Sequence, residues 1–157
     1  MSELHPTASE SDEYWMRQAM AVAREAPACD EIPVGAIVVK NRTCIARAHD
    51  LRHREKDPTA HAEILALRKA AEKTGDWRLE DCDLYVTLEP CPMCAGAIIL
   101  SRIKRLIYGA PNHKSGAIET NCRLLDIETF NHKVEVTAGI LAEESAALLK
   151  EFFKNKR

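Results

Sequence analysis

Two cysteines, one histidine and one glutamate carry the chemistry of this sequence. Cys91 and Cys94 form a C-x-x-C pair in the stretch Leu88-Glu89-Pro90-Cys91-Pro92-Met93-Cys94. Six cysteines scattered over 157 residues would produce such a pair by chance roughly 0.2 times, so the spacing alone is weak. Its setting adds weight. The pair follows a short apolar run and opens a helical one, so Cys91 and Cys94 fall three apart on nearly one helix face. A helix N-terminus favours thiolates, the metal-binding form of cysteine. A thioredoxin-like redox pair would occupy the same kind of junction. The metal reading differs from it by needing a third ligand, and His61-Ala62-Glu63 stands at another helix start, thirty residues before Cys91. One nitrogen and two sulfurs suit Zn2+, and three protein ligands leave the fourth position for water, as a catalytic zinc site requires. Glu63 is then an unliganded carboxylate beside the metal, placed to move protons. On a regular helix residues i and i+2 point about 200° apart. His61 and Glu63 can therefore serve one metal only if it lies over the helix end.

The elements that must position these groups follow from periodicity. Residues 12–26 have helical spacing, with Trp15, Ala19, Val22 and Ala23 on one face, Asp12 as a cap and Pro27 as a stop. Residues 32–40 and 43–49 form a hairpin about Asn41-Arg42. A polar loop, 50–58, leads to a helix that opens near His61, turns Ile64, Leu65, Leu67 and Ala71 inward and ends at Gly75. A strand at 83–88, a helix from Pro90, a strand at 105–110, a short helix near 122–127, a strand at 133–137 and an amphipathic helix at 141–156 complete the chain. The order α-β-β-α-β-α-β-β-α implies an α/β fold with a central mixed sheet between helical layers. Residues 1–11 read as a frayed tail and 12–157 as a single domain.

Composition sets outer limits. Apolar residues make up 46 % and charged residues 29 %, with a net charge of -2. No apolar run reaches the roughly 18 residues of a membrane span. The polar, acidic start MSELHPTASESDEYW has no secretory pattern, so a cytoplasmic protein with free cysteines is expected. The net charge argues mildly against a dedicated nucleic-acid binder. Basic residues do cluster locally: Arg102, Lys104 and Arg105, then His113 and Lys114, then Lys150, Lys154, Lys156 and Arg157. Cys29, Cys44, Cys82 and Cys122 read as small buried or neutral residues, His49, His53, His113 and His132 as polar surface, and Met16, Met20 and Met93 as packing.

The pattern H-A-E…P-C-x-x-C resembles the zinc nucleobase deaminases, whose signature and mechanism are taken here from that family rather than from spacing. The stretches Glu31–Ala36, Asp57–Glu63, Thr87–Ala97 and the Phe152-Phe153 pair are similar to the bacterial tRNA-specific adenosine deaminases, over residues 13–157. That resemblance implies a three-layer α/β/α cytidine deaminase-like fold with a central mixed five-stranded sheet. It implies one Zn2+ per subunit, held by His61, Cys91 and Cys94, with Glu63 as acid and base. It implies a homodimer with the site near the subunit interface, acting on the wobble adenosine of a tRNA anticodon stem-loop. Carried over position by position, Val34, Ala62 and Leu88 would border the base, the backbone around Pro90 would receive the leaving ammonia, and the basic C-terminal helix would touch RNA. Two positions depart from the pattern: Asp50 where the family usually has Asn, and Asn112 where its tRNA-acting members commonly have Asp. Both belong to the expected substrate surface. Adenine N3 and N7 only accept hydrogen bonds, and an ionised Asp50 cannot donate to them. Asp50 could accept from a ribose hydroxyl, or from a base with N–H donors such as guanine or an amino-triazine. A deaminase of a free nucleobase, nucleoside or related heterocycle is therefore the alternative, and a non-catalytic, zinc-stabilised partner subunit a third reading that the presence of Glu63 opposes.

Overall fold

The structure, a computed structural model, describes residues 8–156. Helix α1 spans Ala8–Glu25. It begins four residues before the expected boundary, and residues 1–7 of the expected tail lie outside the described residues. Asp12 is consequently not a cap. It lies within α1, buried, where its carboxylate accepts hydrogen bonds from Tyr85 Oη at 2.7 Å and Arg105 Nη2 at 2.9 Å. A 3-10 turn over Pro27–Cys29 follows α1, as the proline stop anticipates.

Strands β1 (Gly35–Lys40) and β2 (Thr43–His49) form the hairpin. Asn41 and Arg42 both have positive φ, the backbone of a two-residue turn that matches strand twist. A register shift between Val38 and Val39 marks a bulge. The loop expected at 50–58 contains one short helix, α2 (Arg52–Glu55). Helix α3 (Ala62–Thr74), strand β3 (Cys82–Leu88), helix α4 (Pro92–Leu100), strand β4 (Arg105–Ala110), strand β5 (Glu135–Thr137) and helix α5 (Ala142–Asn155) then complete the order.

The five strands lie in the order β2-β1-β3-β4-β5. β1 is antiparallel to both β2 and β3, whereas β3, β4 and β5 run parallel, so the sheet is mixed as expected. Alternation along the strands feeds two cores. Ala36, Val38, Leu84, Val86, Leu106 and Tyr108 face the larger core with α3 and α4. Ile37, Val39, Tyr85 and Ile107 face the smaller one with Met16, Ala19 and Val22 of α1. Both faces of β1, β3 and β4 are thereby buried, and the architecture is the three-layer α/β/α sandwich. Gly35 has a packing reason: a Cβ there would lie 2.2 Å from the Ala19 carbonyl oxygen, so α1 can sit this close only over glycine.

Helix α3 is rotated from the expected inward face. Its buried residues are Ala62, Glu63, Ala66, Leu67 and Ala70, while Ile64, Leu65 and Ala71 are half-buried. The alanines at four-residue spacing let the helix axis approach β1 and β2, which the bulkier Ile64 stripe would hold off. The rotation has a functional consequence, since it carries Glu63 under the protein surface.

Candidate active site

Parallel β3 and β4 end together, Leu88 beside Ala110. Past β3, the chain turns directly into α4. On the same side of the sheet α3 begins after the Asp57–Ala60 turn. Both helices start with a ligand-type residue at the N-cap: His61 for α3 and Cys91 for α4. Each has extended backbone angles and makes no side-chain capping bond. This resolves the spacing problem posed by His61 and Glu63. His61 is not part of the helical repeat, so its side chain and that of Glu63, in the first turn, both reach the space over the helix end.

His61 Nδ1 lies 3.6 Å from Cys91 Sγ and 3.6 Å from Cys94 Sγ. The three donor atoms all fall within 4.8 Å of one another, and they are the metal-ligating type of cluster found among the described residues. A tetrahedral zinc with Zn–S near 2.3 Å and Zn–N near 2.05 Å would separate nitrogen from sulfur by about 3.6 Å. The donor set and its spacing therefore fit a zinc ion. The protonation pattern points the same way. A hydrogen bond from Cys94, helped by His61, holds the Cys91 thiol down at about 4 against the opposing effect of burial. Cys94 is pushed up by that same shared proton and by burial. His61 is raised by its contact with Cys91, with burial opposing. The three groups are thus coupled across these short contacts, and the thiolate is the form of cysteine that binds a divalent cation.

Glu63 is 4 % exposed. Burial drives its carboxyl up to about 7, although its own backbone N–H and His61 act against the rise. Such a group can take up and release a proton near neutral pH. It borders a cavity of about 480 Å³, within the range of small-ligand sites. His61 and Cys91 lie in the same wall, with Val34, Asp50, Leu88 and Asn112 of the expected substrate surface. Ala62 and Pro90 are buried behind this wall and are not part of its lining. The Pro90 carbonyl accepts a hydrogen bond from Ala117 N at 2.9 Å.

Further lining residues were not among the expected site residues. Arg52, from the first turn of α2, and Lys114 bring positive charge; Leu149 and Phe153 of α5 close the apolar side. Phe153 remains 48 % exposed at the cavity. Glu89 is the least legible. Its buried carboxylate accepts hydrogen bonds from the backbone N–H groups of Asn112, Ile118, Glu119 and Thr120 at 2.9–3.1 Å, and from the Thr120 hydroxyl. Burial alone would raise Glu89, but the Glu119 and Thr120 donors, with Asn112, bring it down to about 2. One side chain thus shapes the loop that carries Asn112 and Lys114. Gly116 makes room for it, since a Cβ there would meet Glu89 Oε1 at 2.5 Å. The only signal for Glu89 was its place in the Leu88-Glu89-Pro90-Cys91 run.

The three basic clusters separate in the structure. Arg102, Lys104 and Arg105 lie at the start of β4, at the sheet end opposite the cavity, and Arg105 is committed to Asp12 and Asp83. His113 and Lys114 do line the cavity, so His113 is not merely surface. Lys156 pairs with Asp30, and Arg157 lies outside the described residues. His132 Nε2 bonds the Ile103 carbonyl at 2.6 Å, a structural tie rather than a free surface group. Cys82 is buried as expected and Cys44 half-buried, whereas Cys29 and Cys122 are exposed.

A three-layer sandwich with a His/Cys/Cys centre at paired helix N-termini, and a buried glutamate beside it, defines a deaminase. The MafB19-like deaminase family profile matches residues 10–157. The chain is 47 % identical over 146 residues to a tRNA-specific adenosine deaminase of Bacillus subtilis (strain 168), covering 93 % of this chain and 91 % of that one. A solved structure from work on A-to-I editing by tRNA:A34 deaminases at the wobble position superposes with a TM-score of 0.83 at 45 % identity, covering 87 % of this chain and 99 % of that one. A guanine deaminase from Nitrosomonas europaea shares the fold at a TM-score of 0.74 and 26 % identity, covering 96 % and 86 %. The chain belongs to the tRNA-specific adenosine deaminases.

Proposed function

We propose that this protein hydrolyses the wobble adenosine of a tRNA anticodon loop to inosine, releasing ammonia, with one zinc ion per subunit. The observation that carries the reading is the convergence of His61 Nδ1 on both cysteine sulfurs at 3.6 Å, at a cavity that Glu63 also borders. His61, Cys91 and Cys94 would hold the zinc. When bound, it supplies a Lewis acid that brings a water's pKa towards about 7. Glu63 would accept a proton from the attacking water and pass it to ring nitrogen N1, then take the proton of the newly added hydroxyl and give it to the departing amine. Val34 and Leu88 border the base, and Asp50 and Asn112 belong to the substrate surface. Ala62, behind the lining, supports the wall. The backbone near Pro90 is on the side where ammonia leaves. A splayed base from an RNA loop suits a cavity of this size.

The substrate assignment rests on relatives named tRNA-specific adenosine deaminase at 40–50 % identity over most of the chain. The same kinship supports a homodimer working in the cytoplasm, and no helix among the described residues is long and apolar enough to cross a membrane. The test is incubation of the zinc-loaded protein with an anticodon stem-loop bearing adenosine at the wobble position, followed by sequencing. Inosine is expected, and its absence from a zinc-replete sample overturns the reading. Asp50 in the cavity wall is the observation favouring a free-base substrate such as guanine. Ammonia release from small amino-heterocycles, measured beside the RNA assay, separates the two.

A further inference from the structure

Asp50 is buried, and one of its oxygens, Oδ1, accepts two hydrogen bonds from the same residue: Arg52 N and Arg52 Nε, both at 3.0 Å. A guanidinium has five donors in a rigid plane. Here Nε alone is tied back, which fixes the plane while leaving the Nη edge for another partner. The Arg52 side chain is 35 % exposed and forms part of the cavity wall that also contains His61 and Glu63. The flexibility that normally makes a surface arginine a poor anchor has been removed. What remains is a pre-oriented fork beside the reaction centre, of the kind that recognises two oxygens of an anion.

We infer that Arg52 is the residue that takes a phosphodiester flanking the target adenosine, and that Asp50 is its positioning residue. The inference rests on the tRNA reading above. It gives the carboxylate at position 50 a role without requiring it to donate to adenine: Asp50 orients Arg52. It also sets the substrate class within the site, since a free base carries no phosphate to engage the fork. Lys114, on the loop after β4, adds a second positive charge to the same cavity. The carboxylates of that wall are Asp50, Glu63 and Glu89. Glu89 is engaged by its loop and Asp50 Oδ1 by Arg52 N and Nε, which leaves the Nη edge of Arg52 to an incoming phosphate.

The experiment measures kcat and KM on an anticodon stem-loop across a salt series. Parallel substrates carry one neutral methylphosphonate, either 5′ or 3′ of the target adenosine. For the wild-type protein, one of the two neutral linkages should cut kcat/KM about 10- to 100-fold. R52Q should lose a similar factor on the natural stem-loop, mostly through KM. It should also become insensitive to that linkage, and its salt slope should fall by about 0.7, the contribution of one single-strand phosphate contact. D50A should reproduce R52Q, and D50N, which keeps an oxygen acceptor, should retain most of the wild-type behaviour. Combining D50A with R52Q should cost no more than R52Q alone. Zinc content of each variant reports on folding. If the wild type ignores both neutral linkages, or R52Q keeps the wild-type salt slope and linkage penalty, the role of Arg52 is overturned. If D50A keeps both signatures, the positioning role of Asp50 is overturned. A wild-type protein that leaves the stem-loop unchanged but releases ammonia from guanine overturns the tRNA reading itself, and this inference with it.

Discussion

Buried ionisable groups gather at two ends of the same pair of strands, and they are treated in opposite ways. At the start of β3 and β4, Asp12, Asp83, Tyr85 and Arg105 form a closed set. Arg105 bridges Asp12 at 2.9 Å and Asp83 at 3.3 Å, and Tyr85 donates to Asp12. Donors and acceptors match within the protein, and Arg105 is stabilised in its charged form by Asp12. At the other end, His61, Cys91 and Cys94 bring their donor atoms within 4.8 Å of one another. Glu63 lies beside them, buried. The first cluster fastens α1 to the sheet. The second is a donor set of the metal-holding type, opening on the cavity described above.

The contrast can be broken most sharply at His61. His61→Ala removes the one nitrogen donor, so bound zinc should fall from one equivalent to near zero and deaminase activity should vanish. Metal analysis with an ammonia assay checks both, and full activity in a zinc-free His61→Ala protein would refute the metal centre. Glu63→Gln comes next. It removes the proton carrier but no ligand, so kcat should fall by about 10²- to 10⁴-fold while zinc stays bound. A zinc-loaded Glu63→Gln enzyme with near wild-type kcat would show that another group moves the protons.

The closed cluster should respond in the opposite sense. Asp12→Ala leaves Arg105 and Tyr85 without their shared acceptor, and should cost about 3–5 kcal/mol of stability. At temperatures where the variant remains folded, zinc content and kcat should match the wild type. A denaturant midpoint shift well below that range would mean that water replaces the lost carboxylate. The smallest expected effect concerns Glu89. Its folded-state value near 2 lies below the usual 4.5 of a glutamate. Its stabilisation is therefore complete above about pH 4.5, and is lost as pH falls from there through about 2. The gain is about 3 kcal/mol at most. Unfolding free energies measured from pH 2 to 7 should rise over this window in the wild type and rise less in Glu89→Gln. Equal slopes would remove Glu89 as the loop's charged anchor.

Much of the site was legible because its signals are local. The proline, the cysteine spacing and the helix onset around Pro90 sit within a few residues of one another, as do Thr59, His61 and Glu63. The strands 43–49 and 105–110 were readable to the residue from alternation and apolar runs. Errors arose where a distant partner decided. Asp12 resembles a cap in sequence, but the helix continues through it because Tyr85 and Arg105, far along the chain, satisfy its carboxylate. The Ile64 stripe resembles an inner face, but small alanines pack closer to β1 and β2. Arg105 resembles part of a basic patch, yet it is half-buried and paired.

Donor chemistry belongs to residue type, and helix starts belong to short-range backbone preferences. The sequence by itself therefore determined the candidate ligand set, the carboxylate two residues from His61 and the two helix N-termini that present them. Only the tertiary structure decided that those two N-termini meet. The parallel ends of β3 and β4, and the rotation of α3, set the 3.6 Å contacts and the burial of Glu63. It also decided which charges are spent. Arg105, Glu89, Asp50 and Arg52 carry the same formal charges in the unfolded chain. Their roles differ because each is satisfied, or left with a free edge, by partners that only folding brings within reach.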